Sequence, residues 1–132
     1  MKKISKFVLI FFGLLILNST SNAYAASSGS SSTSIMKSSD YYAAKDLIKK
    51  GDYKEAISIL KGLEKQTPKD PDVQNYLGFS YRKLGDLNLA AIHYNEALNL
   101  NPKHKGALEY QGEMYLTMDQ IDKAKQNLKK LD

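Results

Sequence analysis

The sequence predicts an all-α fold, a solenoid of three helix-turn-helix repeats stacked one on the next. Three observations predict it. The first is self-similarity at a period of 34 residues without insertion: Ala56, Ala90 and Ala124 share one phase, as do Leu60, Tyr94 and Leu128, and Leu63, Ala97 and Leu131. A fixed period of this length marks stacked supersecondary units, each too small to bury its apolar face alone. The second is the three- and four-residue spacing of apolar side chains inside each unit, which is the helical period. The third is the composition. A chain of 132 residues with no Cys and no Trp makes one small domain, held by apolar packing without a disulfide.

The chain begins with a segment that does not belong to this pattern. Lys2, Lys3 and Lys6 precede an apolar run of eleven residues, Phe7 to Leu17, followed by a small polar stretch ending in Ala23-Tyr24-Ala25. A basic start, a short apolar core and an Ala-x-Ala exit are the parts of a secretory signal peptide. The run is too short for a bilayer-spanning helix, which needs roughly 20 apolar residues. Residues 1–25 are therefore expected to be removed on export, leaving no stable membrane span, and the protein is expected in the periplasm or outside the cell. The missing Cys argues against a lipoprotein.

Loss of Lys2, Lys3 and Lys6 takes the formal net charge from +5 to +2. The remaining Lys, Asp and Glu alternate without a long single-sign block, and Arg82 is the lone Arg. No nucleic-acid partner is expected from such a surface. Residues 26–39 form a Ser-rich linker, with eight Ser between Ser27 and Ser39. It is too polar to offset its ordering entropy, so a flexible spacer is expected. The repeat domain then covers residues 40–132, with repeats at about 37–70, 71–104 and 105–132.

The second repeat is the clearest. From Asp72 to Leu84 the residues Val73, Tyr76, Leu77 and Tyr81 form one stripe, and Gly85 supplies a left-handed C-terminus. From Leu87 to Leu98 a second stripe runs through Ala90, Ala91, Tyr94 and Ala97, and Pro102 ends the unit. The third repeat has Leu108, Gln111, Met114, Tyr115 and Met118, then Ile121, Ala124, Leu128 and Leu131. Asp119 stands at its turn, where Asp tolerates a left-handed backbone. The first repeat is looser, with Ala44 and Leu47 where the second has Gly78 and Tyr81; Ala56, Ile57, Leu60 and Leu63 mark its second helix. Gly78 and Gly112 each cost about 1 kcal/mol of helix propensity against Ala, so close helix packing is expected at both.

These residues resemble the tetratricopeptide repeat family. The signature is fullest as Tyr76, Leu77, Gly78, Tyr81, Ala90, Tyr94, Ala97 and Pro102. It recurs as Gln111, Gly112, Tyr115, Ala124, Leu128 and Leu131, and more weakly as Ala44, Leu47, Ala56, Leu60, Leu63 and Pro68. The resemblance implies a right-handed superhelix whose first helices line a concave surface that binds a peptide or partner protein, with no chemistry carried by the repeats. By helical phase the groove residues are Tyr41, Lys45 and Ile48, then Asn75, Phe79 and Arg82, then Glu109, Glu113 and Leu116. Lys45, Asn75, Arg82 and Lys83 make a partial version of the family's carboxylate clamp. Tyr41, Glu109 and Glu113 break the set, and that specificity is not assigned. Phe79, off the apolar stripe, is the strongest binding candidate.

Members of the family usually close the stack with a solvating helix, which this sequence does not show after its last repeat position. Met114, Leu128 and Leu131 are therefore expected to be partly exposed, and self-association there is the alternative to an adaptor that binds a partner in its groove. An enzyme is not expected, nor a cofactor or a metal. His93 is placed on the solvent face of its helix, and His104 in the turn before the third unit, as a helix start or a surface residue. The chain has no Gly-rich phosphate loop, no HExxH and no calcium loop.

Overall fold

The computed structural model describes residues 37–132. The expected signal segment and residues 26–36 of the Ser-rich segment lie outside them. Six helices follow in order: α1 (Ser39–Lys50), α2 (Tyr53–Gln66), α3 (Pro71–Lys83), α4 (Leu87–Leu100), α5 (Lys105–Thr117) and α6 (Ile121–Leu131). They pair as α1/α2, α3/α4 and α5/α6, giving the three helical hairpins that the period predicts.

Local chemistry sets the helix ends. Ser38 accepts the Tyr41 N–H, so the last two serines of the expected linker start the domain rather than lead up to it. Asp70 accepts the Asp72 and Val73 N–H groups ahead of Pro71, which occupies the first helical turn where its missing N–H costs nothing. Asp86 caps α4, and His104 caps α5 through Nδ1, as expected of a residue at a helix start. The turns inside the hairpins repeat as faithfully as the sequence. The N–H groups of Asp52, Asp86 and Gln120 donate to the carbonyls of Leu47, Tyr81 and Tyr115 over 2.9, 3.0 and 2.7 Å. Each closes a Schellman-type C-terminus. The residue that turns left-handed is Gly85 (φ 86°) in the second unit and Asp119 (φ 56°) in the third.

Two apolar clusters form the core. Ala44, Ala56, Leu60, Leu63, Val73 and Leu77 lie between the first two units, and Ala90, Tyr94, Ala97, Ala107 and Met114 between the second and third. Gly78 is required by close approach, because a Cβ there would sit 2.7 Å from Tyr94 Cδ1. Gly112, one period later, has nothing nearer than Asn127 Cβ at 4.0 Å. The expected close packing therefore holds at Gly78 and not at Gly112. Polar ties cross the hairpins as well. His93 Nδ1 is 2.8 Å from Gln74 Oε1, and Asn127, one period on from His93, donates 2.9 Å to Gln111 Oε1.

The arrangement of the hairpins bends the stack. The backbone of α1 runs close to that of α3, and α3 to α5, whereas the backbones of α2 and α4, and of α4 and α6, do not come close. The first helix of each unit therefore lies on the inner side of the curve.

Candidate functional site

Two surfaces deserve comparison, the inner side of the curve and the open end of the last hairpin. On the inner side, Phe79 is half-buried rather than a bare aromatic. Its ring packs 6.3 Å from Tyr53 and 4.8 Å from Tyr110, with the Arg82 guanidinium and Lys83 ammonium over its face. Arg82 reaches across to Glu113, 2.8 Å away, tying α3 to α5. Its side chain is largely buried beside an exposed partner. Tyr41 and Asn75 are themselves buried, and burial holds the Tyr41 phenol well above its ordinary pKa. Lys45 lies over the Tyr41 and Tyr76 rings, and Ile48 packs against the first core. The nine groove residues thus divide. Phe79, Arg82 and Glu113 are brought together, Tyr41 and Asn75 are turned inward, and Glu109, Glu113 and Leu116 border the open end.

A charged cluster joins the three units along one edge. Lys37 pairs with Asp70 and Asp72, Tyr41 donates to Asp72, and His104 Nε2 stands 2.9 Å from Asp72 Oδ1. Burial pushes the Asp72 carboxyl up, but the hydrogen bonds from His104 and Lys37 outweigh it and hold its pKa below the usual value. This clasp was not visible in the sequence, since its paired members lie 31 to 35 residues apart. His93, expected on the solvent face, is instead buried and stacked on the Tyr81 ring at 5.4 Å. Burial holds its imidazole pKa down, against the pull of Glu64.

The open end is the more distinctive surface. An apolar cleft of about 420 Å³ runs between α5 and α6. Its floor is Leu108, Gly112, Ala124 and Leu131, its rims are Leu116, Ile121 and Leu128, and Glu109, Glu113 and Lys125 stand at its edges. At the same phase in the first two units Ala56, Leu60, Ala90, Tyr94 and Ala97 are fully buried by the hairpin that follows. Leu128, in the phase of Leu60 and Tyr94, is 61% exposed. Leu116, Met118, Ile121 and Leu128 make four of the seven large apolar side chains left exposed among the described residues, which concentrates unburied apolar surface at this end. Met114 does not contribute. It is fully buried, because its face of α5 looks back toward the second unit rather than out of the stack. Leu131 lines the cleft and is partly covered.

Comparison with known proteins agrees with this architecture. Residues 71–104 match the family model for the tetratricopeptide repeat. A 74-residue stretch, 56% of this chain, is 32% identical to cell division cycle protein 27 homolog A of Arabidopsis thaliana, of which it covers 10%. Two solved structures share the fold: MamA 41-end from Desulfovibrio magneticus RS-1, with a TM-score of 0.65, and the MamA RS-1 ArsTM double mutant, at 0.64. Each is 23% identical, and the match covers 69% of this chain and 51% of that chain. The chain therefore spans about a tenth of the curated relative and about half of the solved structures. Residues 71–104 thus match one tetratricopeptide repeat, and the helical hairpins on either side of it have the same paired architecture.

Proposed function

We propose that this scaffold works by associating with copies of itself through the α5–α6 end, as an exported structural module. One observation carries the reading: a stacking face that is covered in both earlier units is open in the third, with Leu128 exposed where Leu60 and Tyr94 are not. Covering an exposed Leu or Ile is worth about 1.5–3 kcal/mol for a full side chain, and the partly exposed Leu116, Ile121 and Leu128 together supply a substantial share of a binding energy. No described helix is long and apolar enough to cross a membrane.

The test is the mass in solution over a concentration series, by light scattering, of the polypeptide that accumulates when the whole coding sequence is expressed. Assembly that rises with concentration and is lost in Leu128→Glu supports the reading; a monomer throughout sinks it. Mass spectrometry of the same material tests export, for which a polypeptide beginning at Ala26 is the expected result.

A second reading rests on the Phe79, Tyr110 and Arg82 cluster of the inner curve, which offers an extended peptide aromatic faces beside a cation. Retention of a partner by the parent protein but not by Phe79→Ala would favour it.

A further inference from the structure

We propose that the cleft at the α5–α6 end is filled by α1 of a second copy, so that chains stack head to tail in the register that already joins the units within one chain. The inference rests on the self-association proposed above and names the face that completes it.

The inter-unit contacts obey a simple rule. Lys45 lies over the ring of Tyr76, Phe79 packs on Tyr110, and Arg82 pairs with Glu113, each pair 31 residues apart. Tyr41 meets Tyr76 at an offset of 35. Tyr76 and Tyr110 are thus the residues that each following unit lays on the unit before it, and Tyr42 stands at the same phase, 34 residues ahead of Tyr76. Tyr42, on the first of the described helices, is 55% exposed. Carried one unit beyond α6, the offsets set Tyr42 of a second copy against Glu113 and Glu109, on the rim of the cleft. Lys45 follows one turn later, beside Leu116 and Gly112.

An independent observation points to the same mate. Successive antiparallel helices set residues equidistant from their connecting turn level with each other. Ile57 and Ser80 each lie nine residues from the α2–α3 turn, and Ala91 and Met114 nine from the α4–α5 turn. All four are uncharged. In the same phases the two ends of the chain carry charges of opposite sign: Lys125 on α6 follows Ile57 and Ala91, and Asp46 on α1 precedes Ser80 and Met114. Both are exposed, and among the described residues the ion-pair partner of Asp46 is Lys49, 3.2 Å away on the same helix. Head-to-tail stacking brings Asp46 of one copy level with Lys125 of the next. A two-fold contact of α6 with α6 would instead set Lys125 near like charges. A head-to-tail contact does not close on itself, so growth does not stop at a dimer unless the ring closes.

Light scattering on the purified protein and on Asp46→Lys, Lys125→Asp and the double variant tests the pairing; circular dichroism checks that each is folded, which exposed positions permit. Either single variant is expected to weaken association about tenfold and the double variant to recover it. Each single variant repels its own kind, and the two mixed in equal amounts are expected to recover association and grow in alternation, since both contacts between unlike copies set a Lys against an Asp. Association unchanged in Asp46→Lys overturns the head-to-tail register and leaves self-association standing through α6 alone. A parent protein that stays monomeric overturns both, and points to a cleft covered by residues of the same chain.

Discussion

Adding a methyl group at Gly78 is expected to destabilise the protein, while the same methyl at Gly112 is expected to stabilise it. Both glycines lie inside helices, where replacement by Ala gains about 1 kcal/mol of propensity. At Gly78 the new Cβ would lie 2.7, 2.8 and 3.0 Å from Cδ1, Cε1 and Cγ of Tyr94, well inside the normal carbon–carbon separation of about 3.5–4.0 Å. The Tyr94 ring is fully buried and cannot swing aside into solvent. Overpacking of such a site costs about 1–3 kcal/mol, leaving a net loss of about 1 kcal/mol. At Gly112 the nearest atom is 4.0 Å away and the propensity gain stands alone. The two variants are thus separated by about 2 kcal/mol, or about 10 °C in midpoint for a domain of this size. Thermal unfolding followed by circular dichroism measures it, in dilute solution so that self-association does not contribute. A Gly78→Ala midpoint at or above that of the parent would refute the close-packing argument.

His93 is held neutral by burial between Gln74 and Tyr81, with Glu64 at 3.9 Å and Lys61 facing it. Its folded pKa lies below the ordinary 6.5, so the unfolded chain takes up the proton first. Stability is complete above that value and falls as the pH drops from it through the folded pKa; His93→Asn, which imitates Asn127 one period on, is expected to remove this limb from urea midpoints measured against pH. Asp72 has the usual carboxylate sign: its stabilisation is present above the unfolded pKa and lost as pH falls through the lowered folded value. Asp72→Asn is expected to flatten the acid limb of the same profile, by under about 1 kcal/mol because the side chain is 41% exposed. Gly85→Ala meets no atom within 4 Å but must hold φ at 86°, so a loss of about 1 kcal/mol from backbone strain alone is expected in thermal unfolding, with Gly85→Asn losing less.

The repeat carried most of the fold in plain view. Helix existence, hairpin pairing and the left-handed turns at Gly85 and Asp119 follow from the 34-residue register, because each local signal recurs in the same place. What the register did not resolve is which flank of a helix is covered. α4 is apolar nearly all round, with Leu89, Ala91 and Ile92 beside its main stripe, so its pattern did not decide the side on which His93 lies. Packing of α4 against α3 buries His93, which lies between Gln74 and Tyr81 of α3 with Glu64 of α2 close by. Met114 shows the converse: nearness to the end of the stack suggests exposure, but exposure belongs to a face, and only the α6-side face of α5 is open. The clasp around Asp72 depends on rotamers of residues in three different units, which no local pattern encodes. Phe79 is off the apolar stripe in the sequence and reads as a bare aromatic, but Tyr53 and Tyr110, from two other helices, pack beside its ring.

A solenoid must solve at its ends a problem its interior does not have. Between units, uncharged pairs such as Ile57 with Ser80 can be buried because they are never seen by solvent. An end face made the same way would adhere to any apolar surface, including its own kind in any orientation. Lys125 and Asp46 change that balance. Buried without a partner, each would cost more than the surrounding Leu and Tyr contacts return, so most ways of covering the cleft are penalised. Only an arrangement that sets one against the other recovers the loss, and the repeat register is such an arrangement. The charges at the two ends then act less as sources of affinity than as the selector of one stacking direction, with the apolar cleft around Leu128 supplying the energy.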